Sequence, residues 1–166
     1  MDKAPIIILR DILKTMMGLD SQQIYLYNQD FKIPTTSGLF VVLQYISGRP
    51  WSSNNIQTPV MDGGMTETIT SLVKEVYQVN LMSKNTDSRD RKEEAMMAFR
   101  SSYAEQQKEL YQFTFSLTTE DILNISEVEG AGMLNRFVFN INVNAWYSIT
   151  RSIDYYDEFT NTLTTN

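Results

Sequence analysis

Residues 136–149 read RFVFNINVNAWYSI, and the order of side chains in that stretch decides what kind of fold the chain can make. Phe137, Phe139, Ile141, Val143 and Ala145 fall on alternate positions, with Asn140, Asn142, Asn144 and Trp146 between them. A period of two puts the first set on one face of a β-strand and the second on the other. A helix would scatter both sets around its circumference. The stretch therefore predicts a long strand with an apolar face against a core and a polar face turned away. Residues 66–82 repeat the pattern, with Ile69, Val73, Tyr77, Val79 and Leu81 on one side and Thr70, Lys74, Gln78 and Asn80 on the other. Residues 39–47 (LFVVLQYIS) are nearly all apolar, as a mid-sheet strand buried on both faces should be, and the run stops at Gly48-Arg49-Pro50.

Around these three strands the remaining elements fall into place. Pro5 suits a first helical position, Leu9, Ile12, Leu13 and Met16 recur at helical spacing, and Gly18 suits a left-handed stop, so residues 5–18 predict an amphipathic helix. Residues 24–27 predict a short strand that turns at Asn28-Gln29-Asp30 and resumes with Phe31 and Ile33. Residues 49–65, with two prolines, two adjacent glycines and several small polar residues, predict a long loop or a hairpin with a loose tip. Asp87 or Ser88 caps a second helix running to about residue 107, with Met96, Phe99 and Tyr103 as its apolar stripe. Residues 111–117 and 122–128 predict two shorter strands before a turn at Glu129-Gly130-Ala131-Gly132. The expected fold is α+β, one mainly antiparallel, curved β-sheet with two helices packed on one face. Residues 1–150 form a single domain and residues 151–166 a C-terminal arm or tail.

With 166 residues there is room for one core. Hydrophobic residues make up 42% and charged residues 20%, so a folded chain is expected, and no apolar run approaches the roughly 20 residues that cross a bilayer. The apolar run at residues 6–9 is too short for the core of an export signal, which predicts a protein made and used in a cytoplasm. Without export, the glycosylation triplet Asn124-Ile125-Ser126 is an accident of spacing. The formal charge of −6 has the wrong sign for gripping phosphates over a broad surface. Histidine and cysteine are both absent, which removes thiolate and imidazole chemistry, disulfides, zinc fingers and iron–sulfur ligation. Serine, threonine, asparagine and glutamine number 51 and aromatic residues 19, a composition suited to close protein contact.

No constellation points to catalysis, a cofactor or a metal. The mixed charges from Asp87 to Glu94 read as a capped, solvated helix start. Asp154, Asp157 and Glu158 lack the spacing of a calcium loop, and Gly63-Gly64 and Gly130-Ala131-Gly132 lack the context of a phosphate loop. No serine stands in a GxSxG motif. The methionine pairs Met16-Met17 and Met96-Met97 read as core filler. Trp51 in a polar loop and Trp146 on the asparagine face each either fold back onto their own domain or are covered by another subunit.

Four segments taken together, IPTTSGLFVVLQYISGRPW (33–51), ETITSLVKEVYQVNLMS (67–83), SRDRKEEAMMAF (88–99) and RFVFNINVNAWYSI, resemble the tail terminator or neck-type proteins of tailed bacteriophages over roughly residues 9–149. The resemblance implies a non-enzymatic virion protein, assembled in the host cytoplasm, that forms a homohexameric ring. Such a ring caps the tail tube, ends its polymerisation and offers the surface to which the head joins. Its implied partners are itself, the tail tube protein and neck or connector proteins, with DNA passing through the lumen without specific binding and no membrane involved. Arg49, Trp51, Trp146, Tyr155 and Tyr156 are the expected interface residues, since arginine and large aromatics are the usual anchors. The segment after Arg151 has no clear counterpart in the family pattern. Other readings are a head-completion or baseplate adaptor, or a small-ligand-binding domain with a pocket lined by Phe113, Phe115, Phe137 and Phe139. An enzyme using carboxylates alone is a further alternative.

Overall fold

The computed structural model describes residues 3–27, 34–60, 64–117, 121–129 and 132–153. Its first element, α1 (Pro5–Met17), has proline in its first turn and ends at Gly18, whose φ of 62° lets its N–H reach the Lys14 carbonyl. Ile8, Leu9, Ile12, Leu13 and Met17 form the buried stripe. Met16, expected on that stripe, is exposed, because the face centres one residue further round the helix. Gly18→Ala is expected to cost about 1 kcal/mol, because any Cβ is strained at this backbone angle even though the space around it is open. Urea unfolding of the variant checks this, and an unchanged midpoint would show that the left-handed stop does not matter.

Strand β1 (Ile24–Leu26) pairs in parallel with the start of β2 (Phe40–Pro59), which turns back into β3 (Met65–Ser83). The helices α2 (Asp87–Asp90), α3 (Lys92–Ala98) and α4 (Ser102–Tyr111) follow, then β4 (Thr114–Leu117), β5 (Leu123–Asn124), β6 (Glu127–Glu129) and β7 (Gly132–Ile153). The sheet order is β1-β2-β3-β7-β4, with β5 and β6 also against β7, and every pairing except β1–β2 is antiparallel. The fold is thus the expected α+β with a mostly antiparallel, curved sheet, and it carries four helices among the described residues instead of two.

Three local differences have physical causes. The mid-sheet strand does not stop at Gly48-Arg49-Pro50: β2 runs on to Pro59, with register shifts between Tyr45 and Ser47 and between Pro50 and Ser52. Proline is tolerated there because that half of β2 is an edge and the irregularity absorbs the lost donor. Of the two readings of residues 49–65, the hairpin is therefore the one seen, although residues 61–63 of its tip lie outside the described set. The single helix expected after Asp87 is broken at Arg91 and again at Ser101. Arg91 leaves helical geometry, and its guanidinium donates to Glu94 and to the Met17 carbonyl at the end of α1. The Ser101 hydroxyl donates to the Ala98 carbonyl and accepts from the Ala104 N–H, closing α3 and capping α4. Finally, α4 extends to Tyr111, so β4 begins only at Thr114, and the strand expected at 122–128 is divided into β5 and β6.

The main core lies between α1, α3 and α4 and one face of the sheet. Val41 and Leu43 of β2, Tyr77, Val79 and Leu81 of β3, and Phe139, Ile141, Val143 and Ala145 of β7 all point into it. A smaller cluster of Phe40, Val42 and Leu134 buries the other face near the same end. There Asn80 accepts from the Arg136 guanidinium at 2.8 and 3.2 Å and donates to the Val42 carbonyl. In the helix-side core Phe99 meets Phe115 and Phe139 edge to face, with centroids 5.7 and 6.2 Å apart, and Phe113 lies against Phe115 at 5.6 Å. The four rings of the small-ligand reading, Phe113, Phe115, Phe137 and Phe139, are all buried, as packed core residues are.

Candidate assembly interface

β3 and β7 are paired without a break from Ser83↔Asn135 to Met65↔Ile153, and β2 accompanies β3 to Pro59↔Met65. At about 3.3 Å per residue, β7 is some 70 Å long. The helices cover only one end of it. From Tyr45 to Pro59 in β2 and from Trp146 to Ser152 in β7 every residue is exposed, with β3 half-buried between them. A three-stranded ribbon thus projects beyond the core. Among the described residues, nothing pairs with its outer edges, because β1 stops at the Leu26↔Leu43 pair and β4 at Thr114↔Asn144.

The helix-side face of the ribbon carries two carboxylate clusters that sequence reading missed. Near the core, Glu75 accepts from the Tyr77 hydroxyl at 2.7 Å and from the Tyr147 hydroxyl at 2.9 Å. Burial, reinforced by that carboxylate, raises the pKa of both phenols well above the ordinary range, so they remain donors. Further out, Glu67 is buried between Asn55, which donates at 2.6 Å, and Arg151, which donates at 2.5 Å. The Asn55 hydrogen bond, with the Arg151 bond second, holds the Glu67 carboxyl below its usual range. The Glu67 cluster ties the two outer strands, β2 and β7, across β3, and the Glu75 cluster adds a side-chain tie between the paired strands β3 and β7. The pattern was hidden because these residues are polar on a face otherwise read as apolar, and only strand register brings them together.

A depressed folded-state pKa gives stability that is present above the unfolded carboxylate value and is lost as pH falls through the folded one. The stability difference between the wild type and Glu67→Gln is therefore expected to be positive at neutral pH and to close towards zero as pH falls below the ordinary glutamate range and through the lowered folded-state value. Urea midpoints measured in parallel across that range check this. A difference that persists at low pH would show that the Glu67 charge is not its source.

The opposite face of the ribbon is built of Thr, Ser and Asn around an apolar centre. Trp51, at the second irregularity of β2, Leu72 of β3 and Trp146 of β7 line a depression of about 430 Å³ together with Lys74, Asn144 and Phe113. Trp51 is 65% exposed and Trp146 47%, so neither indole has folded back onto its own domain. The Arg49 guanidinium lies 5.6 Å from the centroid of the Trp51 ring. Three of the five expected interface residues thus come together on one face, and Tyr155 and Tyr156 lie outside the described residues, as do the others after Ile153; Arg151 to Ile153, expected to begin a C-terminal arm, are the last residues of β7. Ile46, Ile56 and Ile149 add further exposed apolar surface to the ribbon.

Elsewhere the polar groups satisfy one another. The charges from Asp87 to Glu94 resolve into ion pairs Arg89–Asp90, Arg91–Glu94 and Lys92–Glu93. The Ser-x-x-Lys spacing of Ser71 and Lys74 falls on β3, where residues three apart face opposite sides, so they do not form a serine–lysine pair. No helix among the described residues is long and apolar enough to cross a membrane.

A small α+β subunit whose sheet outruns its own core, with open edges and uncovered indoles, belongs to the class of proteins completed by their neighbours. Residues 6–166 match the model of the family described as phage neck terminator protein, and the chain belongs to that family. It is accordingly a structural component of the virion neck that associates with head and tail parts. No curated protein matches the chain.

Proposed function

We propose that the subunit is the tail terminator, forming a ring, hexameric as the resemblance implies, that caps the tail tube, ends its polymerisation and presents the head-joining surface. It acts by assembly and not by catalysis. The observation that carries this reading is the projecting ribbon with two open edges on a member of the neck terminator family. Unpaired edges of this length invite pairing with another chain, and a ring satisfies every one of them at once. Within a subunit β2 and β7 run in the same direction, since each is antiparallel to β3. In a cyclic ring β7 of one subunit would therefore meet β2 of the next in parallel. The negative formal charge suits a lumen through which DNA slides without being held.

The test is the mass of the purified protein across a concentration series, with negative-stain imaging alone and after adding tail tubes. Rings, or density closing one end of each tube, are expected. A monomer that ignores tubes at every concentration would overturn the reading, and density on the head vertex instead would favour a head-completion protein.

A further inference from the structure

The depression between Trp51 and Trp146 has chemistry that narrows its occupant. Two exposed indoles and Leu72 give it an apolar floor, while Arg49 and Lys74 place two cations at its side. Among the described residues neither cation has an ion-pair partner. On a chain of net charge −6, a cationic aromatic site is locally of opposite sign to the whole, and it fits an acidic segment bearing large apolar rings. The sequence contains one directly after β7: Asp154-Tyr155-Tyr156-Asp157-Glu158-Phe159.

Geometry prevents that segment from filling the depression of its own subunit. Trp146 lies seven residues back along β7 from Ile153, a distance of about 23 Å. Tyr156 is three residues beyond Ile153 and can reach at most about 11 Å, and Phe159, six residues beyond, about 22 Å, before any length is given to reversing direction. Tyr155 and Tyr156 therefore cannot reach the depression of their own chain, and Phe159 could do so only at full extension.

We infer that the segment 154–159 of one subunit docks into the Trp51–Trp146 depression of a second copy, tyrosine rings against the indoles and carboxylates against Arg49 and Lys74. The inference rests on the ring reading for its biological setting, although the binding itself does not require a closed ring. Docking of this kind is heterologous, donor end to acceptor face, and so adds a directional lock between successive subunits. It would also cover the two indoles that the monomer leaves in water.

Trp51 and Trp146 are the chain's two tryptophans, so indole emission reports on this site alone. The experiment uses the full-length protein, diluted until its mass is that of a monomer, and titrates into it a blocked peptide of sequence DYYDEF, a scrambled acidic peptide and a short oligothymidylate. A saturable blue shift with DYYDEF that is weakened about tenfold or more by Arg49→Glu is expected. In parallel, Tyr155→Ser with Tyr156→Ser, which leaves every described contact intact, should raise the concentration for half-assembly by a similar factor. If the peptide shifts nothing, or the scrambled peptide or the oligonucleotide shifts emission equally well, the docking inference is overturned. If wild-type rings form and the double tyrosine variant assembles at the same concentration, docking is overturned while the ring stands. If the peptide binds and no ring forms at any concentration, the ring reading fails and docking survives.

Discussion

Replacing Phe139 by alanine is expected to cost the subunit about 3–5 kcal/mol, a large part of the roughly 5–15 kcal/mol that holds a domain of this size. Phe139 is almost fully buried, sits opposite Val79 in the strand register and meets Phe99 edge to face at 6.2 Å. Its loss opens a cavity that the sheet cannot close, because the strand on each side is pinned by continuous backbone pairing. The melting temperature should fall by about 10 °C or more. Trp51→Ala is the matching control. It removes a larger side chain, but one that is mostly in water, and should leave the subunit's stability within about 0.5 kcal/mol. Calorimetry of the two variants at a concentration where both are monomers checks the pair. If Trp51→Ala destabilised the monomer as much as Phe139→Ala, the indole would belong to the fold and its role as an intersubunit anchor would be lost.

The contrast between those residues also shows what the sequence made legible. Alternation from Phe137 to Ala145 and from Ile69 to Leu81 identified both long strands and the faces they bury, because a period of two survives whatever lies beside the strand. The same alternation put Trp146 on the polar face, where the structure has it. What stayed hidden depends on partners distant in sequence. Whether Arg49-Pro50-Trp51 ends a strand or continues it cannot be decided locally, since the irregularity that accommodates Pro50 exists only against Val73 and Leu72 of β3. The break of the second helix at Ser101 was written in a local feature, a serine able to bond both the preceding turn and the next, but the stripe of Met96, Phe99 and Tyr103 outweighed it. Glu67 and Glu75 fall on the same side of β3 as Ile69, Val73 and Tyr77, and nothing local marks them out. Their carboxylates acquire meaning only when register brings Asn55, Arg151, Tyr77 and Tyr147 to them from three strands.

Shortening the ribbon is expected to separate folding from assembly. Ser52 and Leu72 are register partners, so residues 53–71 can be replaced by an Asn-Gly turn that closes β2 onto β3 seven residues beyond the Tyr45↔Tyr77 level on the β2 side. None of the removed residues belongs to either core cluster, and Trp51 keeps its place beside Leu72. The variant should therefore fold with a stability within about 1 kcal/mol of wild type, its freed end of β7 fraying. Supplied to a phage lacking the subunit, it should leave heads and tails unjoined or tails of irregular length. A milder variant guards against an unfolded product: Ile56→Lys with Ile149→Lys places a charge at an exposed position on each outer strand, where lysine discourages edge pairing at little cost to the monomer. Both variants should fail to form rings while unfolding cooperatively, the double lysine variant with an unchanged circular dichroism spectrum and the shortened one with less strand signal. Normal tail lengths and joined particles from either one, folded, would mean that the projecting sheet is not what meets the neighbouring subunit, and the interface would have to be sought on the helical layer.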